Sequence, residues 1–311
     1  MKQLAAVCNM AAVFCMFIVV ANMIPGNSDA RDGMLFCLPF MIVFAVFLIF
    51  PMLFGFFISF FDWDILSTRQ WAGLGNYIKL FKDTTFYSSL WHTLVFVLIS
   101  TPLLLAIGFM MALFATSHSL FKNAAETIFF LPYILSITVV GTLWAWLFQR
   151  NYGLINQVVK LFGNEPVSWL TDTKYAMASI IITTIWWTAG FNMILFSAGI
   201  KQISAEIYDA VKIDGAGYMQ TVFYITLPLI RPTTVLCLIL QIIASFNIFG
   251  QVYVMTGGGP HGSTRVLVQY IYETGFKYFK MGYSSAMAYV LFVIILIISL
   301  FQYKLLRTEE S

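Results

Sequence analysis

Long apolar runs alternate with short polar interruptions along this chain. Six runs carry no Asp, Glu, Lys or Arg: 33–61, 84–121, 127–149, 175–200, 232–264 and 281–303. Each can hold a helix of about 20 residues, the length that crosses a hydrocarbon core. The pattern predicts six main transmembrane helices at roughly 34–61, 92–115, 127–149, 177–199, 229–249 and 284–306. A bundle follows, because in lipid every backbone N–H and C=O must be satisfied within its own helix. The predicted fold class is all-α, a polytopic membrane helical bundle. A seventh apolar segment, 3–24, adds an extra N-terminal apolar helix, and the turn-rich stretch Pro25–Gly33 separates it from the rest. Two parts result: 1–33, the apolar segment and turn, and 34–311, the transmembrane domain.

The interruption between the fourth and fifth spans, about 203–228, has a helical pattern of its own. Ile203, Ile207, Ala210 and Val211 recur at helical spacing, with Glu206, Asp209 and Lys212 elsewhere on the surface. Gly215 breaks the pattern, because glycine reaches conformations that end a helix. Asp214 is placed to cap the helix that follows, its carboxylate accepting from free amides. Met219, Val222 and Phe223 continue an apolar stripe, and Pro228 suits the first turn of the next span. The expected result is a helix–turn–helix elbow across the membrane surface. Periodicity alone fits lipid and protein equally well as its partner.

Composition agrees with the membrane reading. The chain is 60% hydrophobic and 10% charged, where a soluble domain carries about 25% charge. The net charge of +3 gives no sign of a nucleic-acid partner. Trp63, Trp71, Trp91, Trp144, Trp146 and Trp169 fall at or beyond span ends, as an interfacial belt requires. Cys8, Cys15, Cys37 and Cys237 lie in apolar segments without C-x-x-C spacing, so they read as small buried hydrophobes. His92, His118 and His261 are far apart, and no metal site is expected.

Orientation follows from parity more than from charge. With the Glu206 elbow on the cytoplasmic side, that side holds Arg31, Lys122, Lys201, Lys212, Arg231, Lys304 and Arg307. The other side holds Arg69, Lys79, Lys82, Arg150, Lys160, Lys174, Arg265, Lys277 and Lys280. The positive-inside rule leans slightly against that assignment, but it applies best to short loops. Four main helices put the Arg31 turn and the elbow on one side. Segment 3–24 then spans with its N-terminus outside; otherwise it lies in the interface or doubles back. A cleaved signal peptide is disfavoured by the single charge at Lys2 and the lack of a clear A-x-A site.

Gly257–Thr264 superficially resembles a phosphate-binding loop. Ser263 stands where that loop needs Lys, and no strand precedes it. A tight turn between helices is the better reading, and no ATP hydrolysis is expected from this chain. No acidic or basic residue lies deep in a main span, which argues against ion-coupled transport. Gln241, Ser245, Asn247 and Gln251, with Phe246 and Phe249 nearby, could line a path for a polyhydroxylated solute. Hydrogen bonding between helices is the competing explanation.

Asp209-Ala210-Val211, Gly215, Ile225 and Leu227-Pro228 together resemble the EAA loop of ABC-importer permeases, with Asp209 for the usual Glu and Val211 for Ala. The wider form EIYDAVKIDGAG resembles the carbohydrate-uptake class. Three further blocks agree: Trp71–Asp83, Leu131–Asn156 with its closing Gly-x-Ile-Asn, and Val252–Pro260 with Thr264 and Ile271–Phe276. The resemblance covers about 34–306 and is closest to the first permease of maltose and glycerol-phosphate importers. It implies a cytoplasmic coupling helix that docks on an ATPase through Glu206, Asp209, Ala210, Val211, Asp214, Gly215 and Ala216. It also implies a second homologous permease, a pair of cytoplasmic ATPase subunits and an extracellular or periplasmic sugar-binding protein. ATP and Mg would belong to the partner ATPase, so no cofactor is expected in this chain. Residues 34–61 would lie outside the five-helix core of the wider superfamily, and segment 3–24 departs from its simplest members. The rival readings are the same machine for glycerol phosphate or a polyol derivative, and a non-transporting membrane scaffold or sensor.

Overall fold

The computed structural model describes residues 28–64, 68–116 and 122–307; the expected apolar helix at 3–24 lies outside them. Helix α1 (Ser28–Phe44) continues through a π-helical turn (Ala45–Ile49) into α2 (Phe50–Ile58). A short hairpin follows, with β1 (Phe61–Asp62) antiparallel to β2 (Gln70–Trp71) in the register Phe61↔Trp71. Next come α3 (Gly75–Leu80), α4 (Thr84–Thr116), α5 (Lys122–Ile134), α6 (Ile137–Leu147), α7 (Leu154–Leu161) and α8 (Thr173–Lys201). The elbow holds α9 (Ala205–Ile213), α10 (Tyr218–Thr221), a π turn (Val222–Thr226) and α11 (Leu227–Leu229). The chain ends with α12 (Arg231–Phe246), α13 (Gly250–Met255), α14 (Leu267–Tyr272), a π turn (Glu273–Lys277) and α15 (Met281–Arg307).

Among the described residues, five helical stretches are long and apolar enough to cross a membrane, and α5 with α6 makes a sixth only as a pair bent by 94°. The straight third span expected at 127–149 is therefore corrected. Ser136 has extended backbone, and its Oγ accepts from Val139 N at 3.5 Å, so it caps a new helix within the apolar run. The fifth span also breaks, at Asn247–Phe249, before α13. Ser28–Gly33 are helical, so the expected turn at 25–33 does not reach that far. The second span starts at Thr84, earlier than hydropathy indicates. Asp83 Oδ1 accepts from Thr85 N at 2.8 Å and Phe86 N at 3.2 Å and fixes that start.

Small residues let the central helices approach closely. A Cβ on Gly108 of α4 would stand 2.6 Å from Asn192 Cβ of α8, and a Cβ on Gly190 would fall on the backbone of Phe129 in α5. A core of Met193, Phe196, Ile200, Ile230 and Cys237 lies beneath the elbow. Two others, around Phe86, Leu267 and Met287 and around Phe148, Ile180 and Val266, fill the far end. Helices α1 and α2 remain peripheral. They meet α15 where Phe56 lies 5.1 Å from the Tyr289 ring and the Tyr289 hydroxyl donates to Met52 O. This is the placement the resemblance implies for 34–61.

Buried amides organise the far-end loops. Asn76 Nδ2 donates to Ser59 O at 2.9 Å and Phe61 O at 2.8 Å, closing the hairpin onto α3. Asn156 Oδ1 accepts from Val167 N at 3.0 Å and Trp169 Nε1 at 3.1 Å, while its Nδ2 donates to Val167 O at 2.9 Å. The Gly-x-Ile-Asn block thus ends on the residue that ties α7 to the loop before α8.

Candidate functional sites: a bundle cavity and an exposed elbow

The bends in the third and fifth spans open a cavity of about 370 Å³. All four residues proposed from sequence as a solute path, Gln241, Ser245, Asn247 and Gln251, line it. They divide in chemistry. Gln241 and Ser245 are buried and already bonded: Gln241 Oε1 accepts from Asn192 Nδ2 at 2.8 Å, and its Nε2 donates to Ser245 Oγ at 3.1 Å. Thr101 Oγ1 adds a hydroxyl at 3.3 Å from Ser245 Oγ. These two residues line the cavity and also join α4, α8 and α12. Asn247 is exposed at the helix break, lines the cavity and donates to Ile243 O at 2.8 Å.

Sequence reasoning missed the opposite wall. Tyr133 stacks on Phe191 with centroids 5.2 Å apart, and Trp187 lies beside Tyr133. Trp187 Nε1 donates to Leu135 O at 3.1 Å, satisfying a carbonyl released by the break between α5 and α6. All three rings line the cavity. Aromatic faces opposite amides and hydroxyls are a suitable surface for a sugar, whose C–H face stacks while its hydroxyls bond. The cavity lining contains no acidic or basic side chain.

At the other end the elbow has the expected helix–turn–helix form. Ser204 caps α9, accepting from Glu206 N at 3.3 Å. Gly215 turns the chain with φ +78° and open space about its Cα. The expected cap role of Asp214 is not found: Asp214 closes the C-terminus of α9, and α10 begins at Gly217. Gly217 N–H is instead satisfied by Gln220 Oε1 at 2.9 Å. Tyr208 and Val211 are half-buried, and the Tyr208 hydroxyl meets Thr226 Oγ1 at 3.2 Å. Ile207 and Ala210 stay exposed, as do Glu206, Asp209, Asp214 and Gly215, while Ala216 is half-buried. Asp209 pairs with Lys212 at 2.9 Å. A groove of about 510 Å³ runs beneath, lined by Leu113, Tyr208, Asp209, Lys212, Ala216 and Val222. Pro228 lies in α11, a three-residue turn that precedes the span α12 at Arg231, rather than in the first turn of that span.

The far end carries a buried acid that the sequence did not reveal. Glu273 is 6% exposed and accepts from Gln269 Nε2 at 3.1 Å, with Arg265 Nε at 3.4 Å and Lys277 Nζ at 3.6 Å. Asp83 Oδ2 accepts from the Tyr270 and Tyr283 hydroxyls at 2.6 Å each. Burial opposes the Asp83 charge, yet these bonds and those from the Phe86 and Thr85 amides hold its carboxyl below the usual range. Burial, then the bond to Asp83, pushes the Tyr270 hydroxyl upward. The Gly-rich segment is the tight turn expected: Gly257, Gly258 and Gly262 have positive φ, and Gln269 Nε2 donates to Gly257 O at 2.8 Å.

A helical membrane subunit with a central uncharged cavity and an exposed elbow running into a cavity-lining span is the architecture of a transporter permease. Residues 105–308 match the family described as the binding-protein-dependent transport system inner membrane component. The chain belongs to that family, the inner-membrane permeases of ABC importers, and to its carbohydrate-uptake class. It is 31% identical over 284 residues to the sulfoquinovosyl glycerol transport system permease protein of Agrobacterium fabrum, covering 91% of this chain and 92% of that protein. It is 31% identical over 272 residues to the trehalose/maltose transport system permease protein of Thermococcus litoralis, covering 86% and 91%. A chain in the crystal structure of a bacterial alginate ABC transporter in complex with an alginate pentasaccharide-bound periplasmic protein aligns with TM-score 0.76 and 26% identity, covering 88% and 93%. The protein is thus an inner-membrane permease subunit of a binding-protein-dependent sugar importer, and its relatives are transport subunits rather than enzymes.

Proposed function

We propose that this permease forms half of the translocation path for a neutral sugar or oligosaccharide and couples it to a separate ATPase through the elbow. The observation that carries this reading is the continuity of residues 205–251. An exposed helix, α9, runs through α10 and α11 into α12, whose far end lines the cavity with Gln241 and Ser245, and the break and α13 that follow add Asn247 and Gln251. A push on α9 is therefore delivered to the cavity wall by one stretch of chain. Glu206, Asp209, Ala210, Val211, Asp214, Gly215 and Ala216 would meet the ATPase, with ATP and Mg held there. The elbow and C-terminus would be cytoplasmic. The far-end loops would face the sugar-binding protein, and a homologous permease would complete the path.

The absence of charge from the cavity lining disfavours glycerol phosphate, whose anion needs a cation partner. The decisive experiment is uptake by proteoliposomes holding this chain with its partner permease, ATPases and binding protein. Labelled oligosaccharide should accumulate only with ATP inside the ATPase compartment. Failure to accumulate any sugar, with intact ATPase activity, would leave the scaffold or sensor reading in its place.

A further inference from the structure

Four aromatic rings, beginning with Phe249 at the cavity, follow one another in space. Phe249 lies 5.2 Å from Tyr253 and 5.1 Å from Tyr272, and the two tyrosine rings are 5.6 Å apart. Phe276 stacks 5.4 Å beyond Tyr272. One end of this series, Phe249, lines the cavity, and the other, Phe276, is 63% exposed. The rings come from three elements: the break before α13, α13 itself, and the junction of α14 with its π turn.

Rings facing lipid would sit among apolar neighbours, and these do not. The Lys277 ammonium lies 5.5 Å from the Tyr253 ring centroid and 3.6 Å from Glu273, whose carboxylate also meets Arg265. Two cations beside one buried acid leave a positive edge, which requires water at the rim of the aromatic patch. Tyr253 is 40% exposed and Tyr272 is half-buried, so both rings keep open surface. The patch therefore offers apolar faces with donors and acceptors at their edges, the surface that a sugar ring matches. Its spacing lets a sugar leave one ring only as it reaches the next.

We infer that Phe249, Tyr253, Tyr272 and Phe276 form an aromatic track that guides a sugar chain from the outer face into the cavity. The inference rests on the sugar-permease reading and adds a binding surface to it. Stacking holds the sugar loosely enough to slide, because each ring contributes weakly and none fixes hydroxyl geometry. Lys277, with its cation over the Tyr253 face, marks the entrance.

The test uses the assembled importer with radiolabelled gluco- and arabino-oligosaccharides. Tyr253→Leu and Tyr272→Leu should each lower uptake at sub-saturating sugar, and together by about tenfold, with little change at saturation. Tyr253→Phe and Tyr272→Trp should restore it. Unchanged uptake in the double leucine variant overturns the track, and so does equal loss in the leucine and aromatic variants, which would mark a packing role. Photoreactive p-benzoylphenylalanine placed at Phe276 should attach labelled sugar during uptake, and no attachment while transport proceeds overturns the inference. If the unmodified importer takes up no oligosaccharide, the permease reading fails by itself. Attachment at position 276 then still decides whether the track binds sugar.

Discussion

Asn192 donates through Nδ2 to Gln241 Oε1 at 2.8 Å, bridging helices whose residues lie 49 apart in sequence. The bond holds α8 to α12 at the wall of the cavity and sets the position of Ser245 through Gln241 Nε2. Interhelical bonds of this kind average about 0.6 kcal/mol in membranes and reach about 1.7 kcal/mol. Asn192→Ala and Gln241→Ala should each destabilise the protein by about 1 kcal/mol, since each leaves a buried partner unpaired. The double variant should cost less than the sum. A double-mutant cycle read by unfolding in detergent checks this, and strict additivity would show that the bond carries no coupling.

Gly215 should be replaceable only by a residue that tolerates its backbone. Its φ of +78° lies in the left-handed region, and no atom crowds the place a Cβ would take. The cost of substitution is therefore conformational rather than steric, about 1–2 kcal/mol for most residues and less for Asn. Gly215→Val should change the angle between α9 and α10 and, on the proposed coupling role, lower sugar uptake by about tenfold, while the melting temperature of the bundle changes little. Gly215→Asn should keep most of the uptake. Full uptake in the valine variant would mean that the angle between α9 and α10 does not matter for coupling.

These two positions were not equally legible in the sequence. Gly215 stands out because it interrupts a helical period, and periodicity reports local backbone. The Asn192–Gln241 bond is invisible for the opposite reason: both residues sit in apolar runs, and what they touch depends on how distant helices pack. The same contrast explains the misses. Hydropathy averaged over 127–149 hides Ser136, a single cap residue that turns the chain through a bend of 94°. Asp214 has the chemistry of a cap, but Gly217 starts the next helix and Gln220 takes the capping role. Ile207 stays exposed, because Tyr208 reaches Thr226 and sets the buried face one residue later. Glu273 reads as a loop residue until Arg265, Gln269 and Lys277 are seen around it.

Asp83 should make stability depend on acid in a defined window. Its carboxyl is held below the ordinary value of 3.8 by the Tyr270, Tyr283, Phe86 and Thr85 donors, against the opposing effect of burial. A depressed value contributes stability that is complete above the unfolded pKa and is lost as pH falls through the folded one. The melting temperature of the wild-type protein should thus exceed that of Asp83→Asn by a constant margin from pH 7 to pH 5, as far as this group is concerned. The margin should close below about pH 4. A margin that shrank between pH 7 and 5 instead would point to a different titrating group.

Asn156 separates the acceptor and donor functions of one buried side chain. Its Oδ1 takes the Val167 amide and the Trp169 indole N–H, while its Nδ2 serves Val167 O at 2.9 Å and the Gln149 and Arg150 carbonyls at 3.3 Å each. Asn156→Leu removes both sets and strands two partly buried donors, at a cost at the low end of about 1–3 kcal/mol for each unsatisfied group. Asn156→Asp keeps the acceptors but turns a carboxylate toward three carbonyl oxygens, so it should be at least as damaging at neutral pH and partly relieved when the acid is protonated. The loss should be local. Trp169 packs on Phe148 and Tyr175, 5.6 Å and 5.8 Å away, and would lose its anchor. Hydrogen exchange should therefore accelerate at the Val167 amide and the Trp169 indole while amides of α9 at the opposite end stay unchanged. Equal acceleration at both ends would show that Asn156 supports the whole bundle rather than the loop between α7 and α8.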